Sequence, residues 1–304
     1  MKRFLTSVCL FSALIVGLMA FSLFVLPDNH IVNSMLGAQR LKLDLLDKKD
    51  GPRIIFVAGS NVGHGFDSTA VEKAFGRPVM NMGLHAGLGL IYHVRSIEDH
   101  VREGDVIVVC PEYSMFTGDC WGDEELLAMV SAIIPEHRAL LSFEHYMHLA
   151  DKAPRYACRK LWRLGTLFEP IKGKTGYTSS GDQAGPHSAE RLPFPSGTKT
   201  IGPEAYTEEV LPYLNDFIAS CGKMGAKVYL MPPVLERTSF EHMRGLIAKI
   251  GSKLKRNNTP FITPPENFVF DDDLFHDTQY HLNARGIPLR MQEVVKALNQ
   301  AILR

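Results

Sequence analysis

Ile54-Ile55-Phe56-Val57-Ala58-Gly59-Ser60-Asn61 is the stretch on which the reading of this chain turns. A short apolar run closed by glycine reads as a buried strand. Ser60 then stands at the carboxyl end of that strand, in the crevice where open α/β sheets receive ligands. Gly51-Pro52, just upstream, punctuates the start of the domain.

Outward from this strand the pattern alternates. Further strands are expected at Val106–Cys110, Ala226–Met231 and Pro260–Thr263, with a short one at Val79–Met82, the first running Arg53–Ala58. Helical spacing of apolar residues marks Asp67–Phe75, Leu88–Val101, Thr207–Met224, Thr238–Lys255 and Asn283–Leu303. Asp67 or Ser68 caps the first of these and Asn283 the last. Such alternation predicts an α/β domain over 51–304 with a parallel sheet covered on both faces. It is interrupted by an insertion at 124–200. Glu124–Phe168 reads as helical, rich in Leu, Ala, Met and His. Lys172–Thr200 reads as an irregular loop placed to cap the crevice.

The amino terminus has a different character. Lys2 and Arg3 precede an uncharged, mostly apolar run from Phe4 to Pro27. That is enough residues to cross a hydrocarbon core of about 30 Å as a helix. The run exceeds the 7–15 residues or so of a cleaved signal's apolar core, and Met19-Ala20-Phe21-Ser22 is a poor cleavage site. The reading favours an uncleaved, single-pass anchor over 1–27, inserted in a bacterial inner membrane through residues 4–26, with 28–50 as a stalk. Lys2 and Arg3 stay cytoplasmic, and the domain lies on the periplasmic side.

The chain has 304 residues, with 33 Lys plus Arg against 33 Asp plus Glu. A net charge of zero lacks the basic footprint of a nucleic-acid binder. Beyond Cys9 in the anchor, Cys110, Cys120, Cys158 and Cys221 have no zinc-site spacing. Cys110 reads as a buried strand residue, and Cys120 with Cys158 is a possible pair.

Chemistry enters with the far end of the chain, Asp277-Thr278-Gln279-Tyr280-His281-Leu282-Asn283. A serine nucleophile needs an imidazole base, and the base needs a carboxylate to orient it. Ser60, Asp277 and His281 offer those roles in that order. Plainer roles stay open: Ser60 as a helix cap, His281 as a surface or capping histidine, and Asp277 as a turn former beside Asp271-Asp272-Asp273. Those three acids lack the pattern of a calcium loop. The glycines at 83, 87 and 89 lack dinucleotide spacing, and no phosphate-binding Walker loop is present. No cofactor and no metal are expected.

Taken in order, Gly59-Ser60-Asn61, Asn81-Met82-Gly83-Leu84-His85-Ala86-Gly87, Pro111-Glu112-Tyr113 and Asp277…His281-Leu282-Asn283 resemble the blocks of the SGNH/GDSL hydrolase superfamily. The likeness is greatest to its membrane-anchored, extracytoplasmic branch, which handles acyl groups of envelope polysaccharides. The resemblance covers most of 53–304 outside 124–200. It implies a three-layer, flavodoxin-like sandwich, with Ser60 as nucleophile, His281 as base and Asp277 as orienting acid. It also implies oxyanion donors at the backbone N–H groups of Ser60 and Gly83. His85 and Glu112 are the candidate substrate contacts; for His85, as for His64, a structural role is open, and for Glu112 that of a hydrogen-bond anchor at a strand end.

Two departures accompany the likeness. The family's third block offers an Asn side chain, where this chain has Glu112, a carboxylate that cannot donate unless protonated. Asn61 is the candidate replacement donor. The usual acid lies three residues before the histidine; Asp277 lies four before, with Asp273 and His276 as nearby substitutes. The expected function is therefore a serine esterase or O-acyl (acetyl) transferase on an extracytoplasmic polysaccharide. The alternatives are a catalytically silent scaffold or carbohydrate-binding module, and a tethered protein whose 124–168 helices bind a partner such as a membrane acyltransferase.

Overall fold

A computed structural model describes residues 1–26, 34–118, 120–165, 176–184, 187–193 and 201–302. The chain forms two compact units, Met1–Gly37 with Glu124–Gly173, and Ala38–Asp123 with Lys174–Arg304. Among the described residues its helices are α1 (Lys2–Phe24), α2 (Ala38–Lys48), α3 (Ser60–Gly63), α4 (Ser68–Phe75), α5 (Gly89–Glu98), α6 (Glu124–Ile133), α7 (Phe143–Trp162), α8 (Val210–Lys223), α9 (Arg237–Arg256) and α10 (Gly286–Ile302).

The second unit is α/β. β1 (Ile54–Ala58), β2 (Val79–Asn81), β3 (Val106–Cys110) and β4 (Lys227–Leu230) make a parallel sheet in the order β2-β1-β3-β4. Ile54 is in register with Val79 on one side and Val106 on the other, and Val106 with Lys227. Successive strand side chains face opposite ways. Ile54, Phe56 and Ala58 join Val106, Val108, Val71, Val294 and Leu298 in one buried cluster. Ile55, Val57, Ile107 and Val109 face the other way and are buried too. The five residues of β1 bury an alternating set on each face, which is why the run lacks polar interruptions. A separate parallel pair joins β5 (Leu235–Glu236) to β6 (Val269–Phe270).

Several expectations are corrected. The strand foreseen at Pro260–Thr263 reduces to one bridge, Leu230 to Phe261. Pro260 and the Pro264-Pro265 pair supply no N–H, so a ladder cannot extend there. Of the stalk, 28–33 lies outside the described residues, while 38–48 is helix α2, with Lys42, Leu43 and Leu46 buried in the α/β unit. Within the region read as an irregular loop, Tyr177 and Gln183 form an antiparallel bridge. Residues 172–175, 185–186 and 194–200 of that region lie outside the described ones. All five cysteines are free, so Cys120 and Cys158 are not a pair.

The first unit contains α1, α6 and α7. Within Lys2–Leu23 of α1 an 18-residue window has a mean hydropathy of 2.3, and the helix is long and apolar enough to cross a membrane.

Candidate active site

The site begins where β1 ends. Gly59 turns the chain directly into α3, a single helical turn that opens on Ser60. Two buried charges hold this turn from opposite ends. Glu112, after β3, accepts the N–H of Asn61 at 2.9 Å and of Gly59 at 3.3 Å. Arg290, on α10, donates to the carbonyl of Asn61, to that of Gly65 at 3.3 Å and to Asn61 Oδ1 at 3.2 Å. Its guanidinium also lies 5.1 Å from the centre of the Phe66 ring. Burial pushes the Glu112 carboxyl up from its usual range, against the pull of the N–H groups it accepts. Burial lowers Arg290 to about 10.

Between those anchors, Ser60 stands apart. It is half-buried, and neither its hydroxyl nor its N–H makes a hydrogen bond among the described residues. Only its carbonyl is engaged, by the N–H of His64 at 2.8 Å.

Asp277 and His281 meet across a doubled-back loop. Phe275 bridges to Leu282, and the N–H of His276 donates to the His281 carbonyl at 2.8 Å. That reversal brings Asp277 Oδ1 to 2.8 Å from His281 Nδ1. The four-residue spacing is thus satisfied by a turn rather than by a helix face. A carboxylate only accepts, which assigns the shared proton to Nδ1 and leaves Nε2 as a proton acceptor. Asn283 then caps α10, its Oδ1 accepting the N–H groups of Arg285 at 3.0 Å and Gly286 at 3.2 Å.

The two halves of the site touch through His64. Its ring centre lies 4.5 Å from that of His281. His64 follows Ser60 by four residues, one helical turn on. A crevice of about 280 Å³ is lined by His64, Gln183, His187, His276, Asp277 and His281. Ser60 is not in its wall, and it makes no hydrogen bond to His281. Without substrate such bonds are commonly long and tighten only when the reacting group binds. Burial lowers His281 below its ordinary value, and Asp277 partly offsets this. Burial, then the neighbouring His281, lowers His64 to about 4.

The loop after β2 packs on the same turn. A Cβ at Gly83 would stand 2.3 Å from the Gly63 nitrogen and 2.7 Å from the Val62 carbonyl carbon, so only glycine fits. Asn81 Nδ2 donates to the Val62 carbonyl at 2.9 Å and to Asp182 at 2.8 Å. Lys42 Nζ reaches the Gly83 carbonyl at 2.6 Å, fully buried, and desolvation lowers its pKa to about 7.

At three candidate positions the groups are engaged with protein partners. The Gly83 N–H donates to Asn81 Oδ1 at 2.9 Å, so the residue ties the loop rather than presenting a vacant donor. Asn61 is fully buried, with its amide on the Cys110 carbonyl at 2.9 Å, and offers nothing to an oxyanion. Glu112 is 1% exposed, and its carboxylate is occupied by the backbone N–H groups of Gly59 and Asn61, the anchor role left open for it at a strand end. His85 is exposed, and its Nδ1 accepts the N–H of Gly87 at 3.0 Å. The nearby substitutes are engaged elsewhere: Asp273 pairs with Arg285, and His276 Nδ1 bonds the Glu190 carbonyl at 2.8 Å.

Lys42, Asn81, Asp182 and Arg290 had no assigned role in the sequence reading. Two carried a signal. Lys42 shares a helical face with Leu43 and Leu46, and Arg290 shares one with Ile287, Met291 and Val294. A charge on an apolar stripe is buried and must be paired. Among the described residues no group of three or more His, Cys, Asp or Glu side chains is placed to hold a metal. Comparison of the chain with family models and with curated proteins returns no match.

Proposed function

We propose that the protein is a membrane-tethered serine ester hydrolase or O-acyltransferase of SGNH type, with a three-layer sandwich around its sheet. The observation that carries this reading is the Asp277–His281 hydrogen bond, 2.8 Å long, beside the turn on which the Ser60 hydroxyl has no hydrogen-bond partner among the described residues. Ser60 Oγ attacks an ester carbonyl and passes its proton to His281 Nε2, while Asp277 holds the opposite nitrogen. The Ser60 N–H, between the two that Glu112 engages, is the donor for the developing oxyanion. His281 then protonates the departing alkoxide. Water releases the acyl group as the acid; a sugar hydroxyl in place of water completes transfer.

The apolar α1 supports a bacterial inner-membrane anchor with the α/β unit on the periplasmic side, which makes an acylated envelope polysaccharide the substrate class. The test is ester hydrolysis by the purified chain, with p-nitrophenyl acetate and O-acetylated polysaccharide as substrates. Turnover that is lost in Ser60→Ala supports the reading. A folded wild type that releases no acyl group from either overturns it. Two observations favour a catalytically silent scaffold instead: the Gly83 N–H is taken by Asn81, and a carboxylate, Glu112, stands where the family places a donor.

A further inference from the structure

The first unit holds a cavity to which the ester chemistry assigns no role. It has a volume of about 330 Å³ and lies among α6, α7 and the carboxyl end of α1. Ala128, Leu149, Ala153 and Tyr156 make its apolar walls, and Leu23, the end of the membrane-spanning stretch, is one of its lining residues. Voids of about 150 Å³ with apolar walls already take up benzene. This one is roughly twice that size.

Three observations point to its occupant. The first is position. Lys2–Leu18 of α1 are exposed, whereas Ser22 is buried and its hydroxyl donates to the Ala157 carbonyl at 2.8 Å. Lys160 Nζ reaches the Leu23 carbonyl at 3.3 Å. Helix α7 is therefore fastened to α1 where the apolar stretch ends, beside the cavity that Leu23 helps to line; with α1 across a bilayer, that end lies at the lipid headgroups. The second is a polar atom inside the cavity. Ser131 lines the cavity, is 3% exposed, and its hydroxyl has no hydrogen-bond partner among the described residues. A buried hydroxyl left unpaired is costly, because it has given up water and gained no partner. The third is charge. Arg138 stands exposed at the rim, and its guanidinium has no ion pair among the described residues.

We propose that this cavity binds an anionic membrane phospholipid. One acyl chain fills the apolar walls, its ester carbonyl accepts from Ser131, and its phosphate meets Arg138. Each methylene that leaves water for the apolar walls adds to the binding. The arginine adds a planar donor set suited to phosphate. The proposal stands apart from the ester chemistry and requires only that α1 span the membrane.

The test is photocrosslinking of the full chain in nanodiscs of mixed phosphatidylglycerol and phosphatidylcholine. The probe is phosphatidylglycerol with a diazirine on its acyl chain, and sites are mapped by peptide mass spectrometry. Crosslinks to α1 report ordinary contact with the bilayer and serve as the internal standard. The expected result is a second set within 128–156, displaced by added phosphatidylglycerol but not by phosphatidylcholine. Ala153→Trp, which fills the void, should lower that set about tenfold while leaving α1 unchanged. Arg138→Gln should weaken labelling by the anionic probe and leave a phosphatidylcholine probe unaffected. Wild-type labelling confined to α1 overturns the proposal. So does a second set that both lipids displace equally, a comparison that needs no variant to fold.

Discussion

At the scale of the residue, His281 must be neutral, oriented and next to a hydroxyl if it is to take a proton. Burial lowers its pKa below the ordinary histidine value of 6.5, and Asp277 fixes its tautomer. The sign follows: the base is competent above its pKa and lost below it. We predict that kcat/KM rises with pH along an acid limb centred below 6.5 and is flat at neutrality. Asp277 raises the His281 value, so Asp277→Asn should move that limb to lower pH. It should also cut kcat by roughly 10²–10⁴, as the wrong tautomer becomes accessible. A pH–rate profile of both proteins checks this. Gly83→Ala is the second test at this scale. Its Cβ would overlap the Gly63 nitrogen, and that neighbour is backbone, which cannot swing aside. Overpacking of this kind costs about 1–3 kcal/mol or more, measurable by denaturant unfolding. The positions of Ser60, Asp277 and His281 were legible from sequence because each sits in a short, chemically distinctive string. The pairings of Gly83, Asn61 and Glu112 were not. Which N–H a buried carboxylate accepts is decided by packing between strands, and no local pattern records it.

At the scale of the element, β1 and β3 were plain in sequence as unbroken apolar runs, α4 and α10 as helical spacings with caps, and α9 as a helical spacing alone. β2 is only three residues long and still pairs with β1 in parallel. The helix over 38–48 shows what escapes such reading. Leu41–Asp50 reads as a short helix on a stalk, yet its apolar stripe carries Lys42 into the core, against the loop that follows β2. Burial there lowers the lysine from 10.5 to about 7. A depressed folded-state value means that the unfolded chain binds more protons between those two pH values. The lysine's contribution to stability is full above 10.5 and is lost as the pH falls through about 7. We predict that wild type gains stability relative to Lys42→Met as pH is raised from 7 toward 10.5. Urea unfolding of both proteins across that range checks it; parallel curves would contradict it.

At the scale of the whole molecule, the chain divides between a unit built on an apolar amino-terminal helix and an α/β unit that holds the dyad. The first stretch was readable from hydropathy alone. The interleaving of the units was not, because a helical insertion at 124 gives no sign of which element it packs on. If α1 is the uncleaved anchor we propose, the full-length chain stays in the membrane through alkaline carbonate extraction. A carboxyl-terminal alkaline phosphatase fusion would then be active, since that enzyme matures only on the periplasmic side. A soluble, shortened chain would contradict the anchor while leaving the dyad untouched. The central claim is that Ser60 is an activated nucleophile, and covalent capture tests it most directly. A fluorophosphonate probe applied to the native protein should label wild type, lose the label in Ser60→Ala, and label His281→Ala far more slowly. A correctly folded wild type that takes no label, or a label that persists in Ser60→Ala, contradicts it.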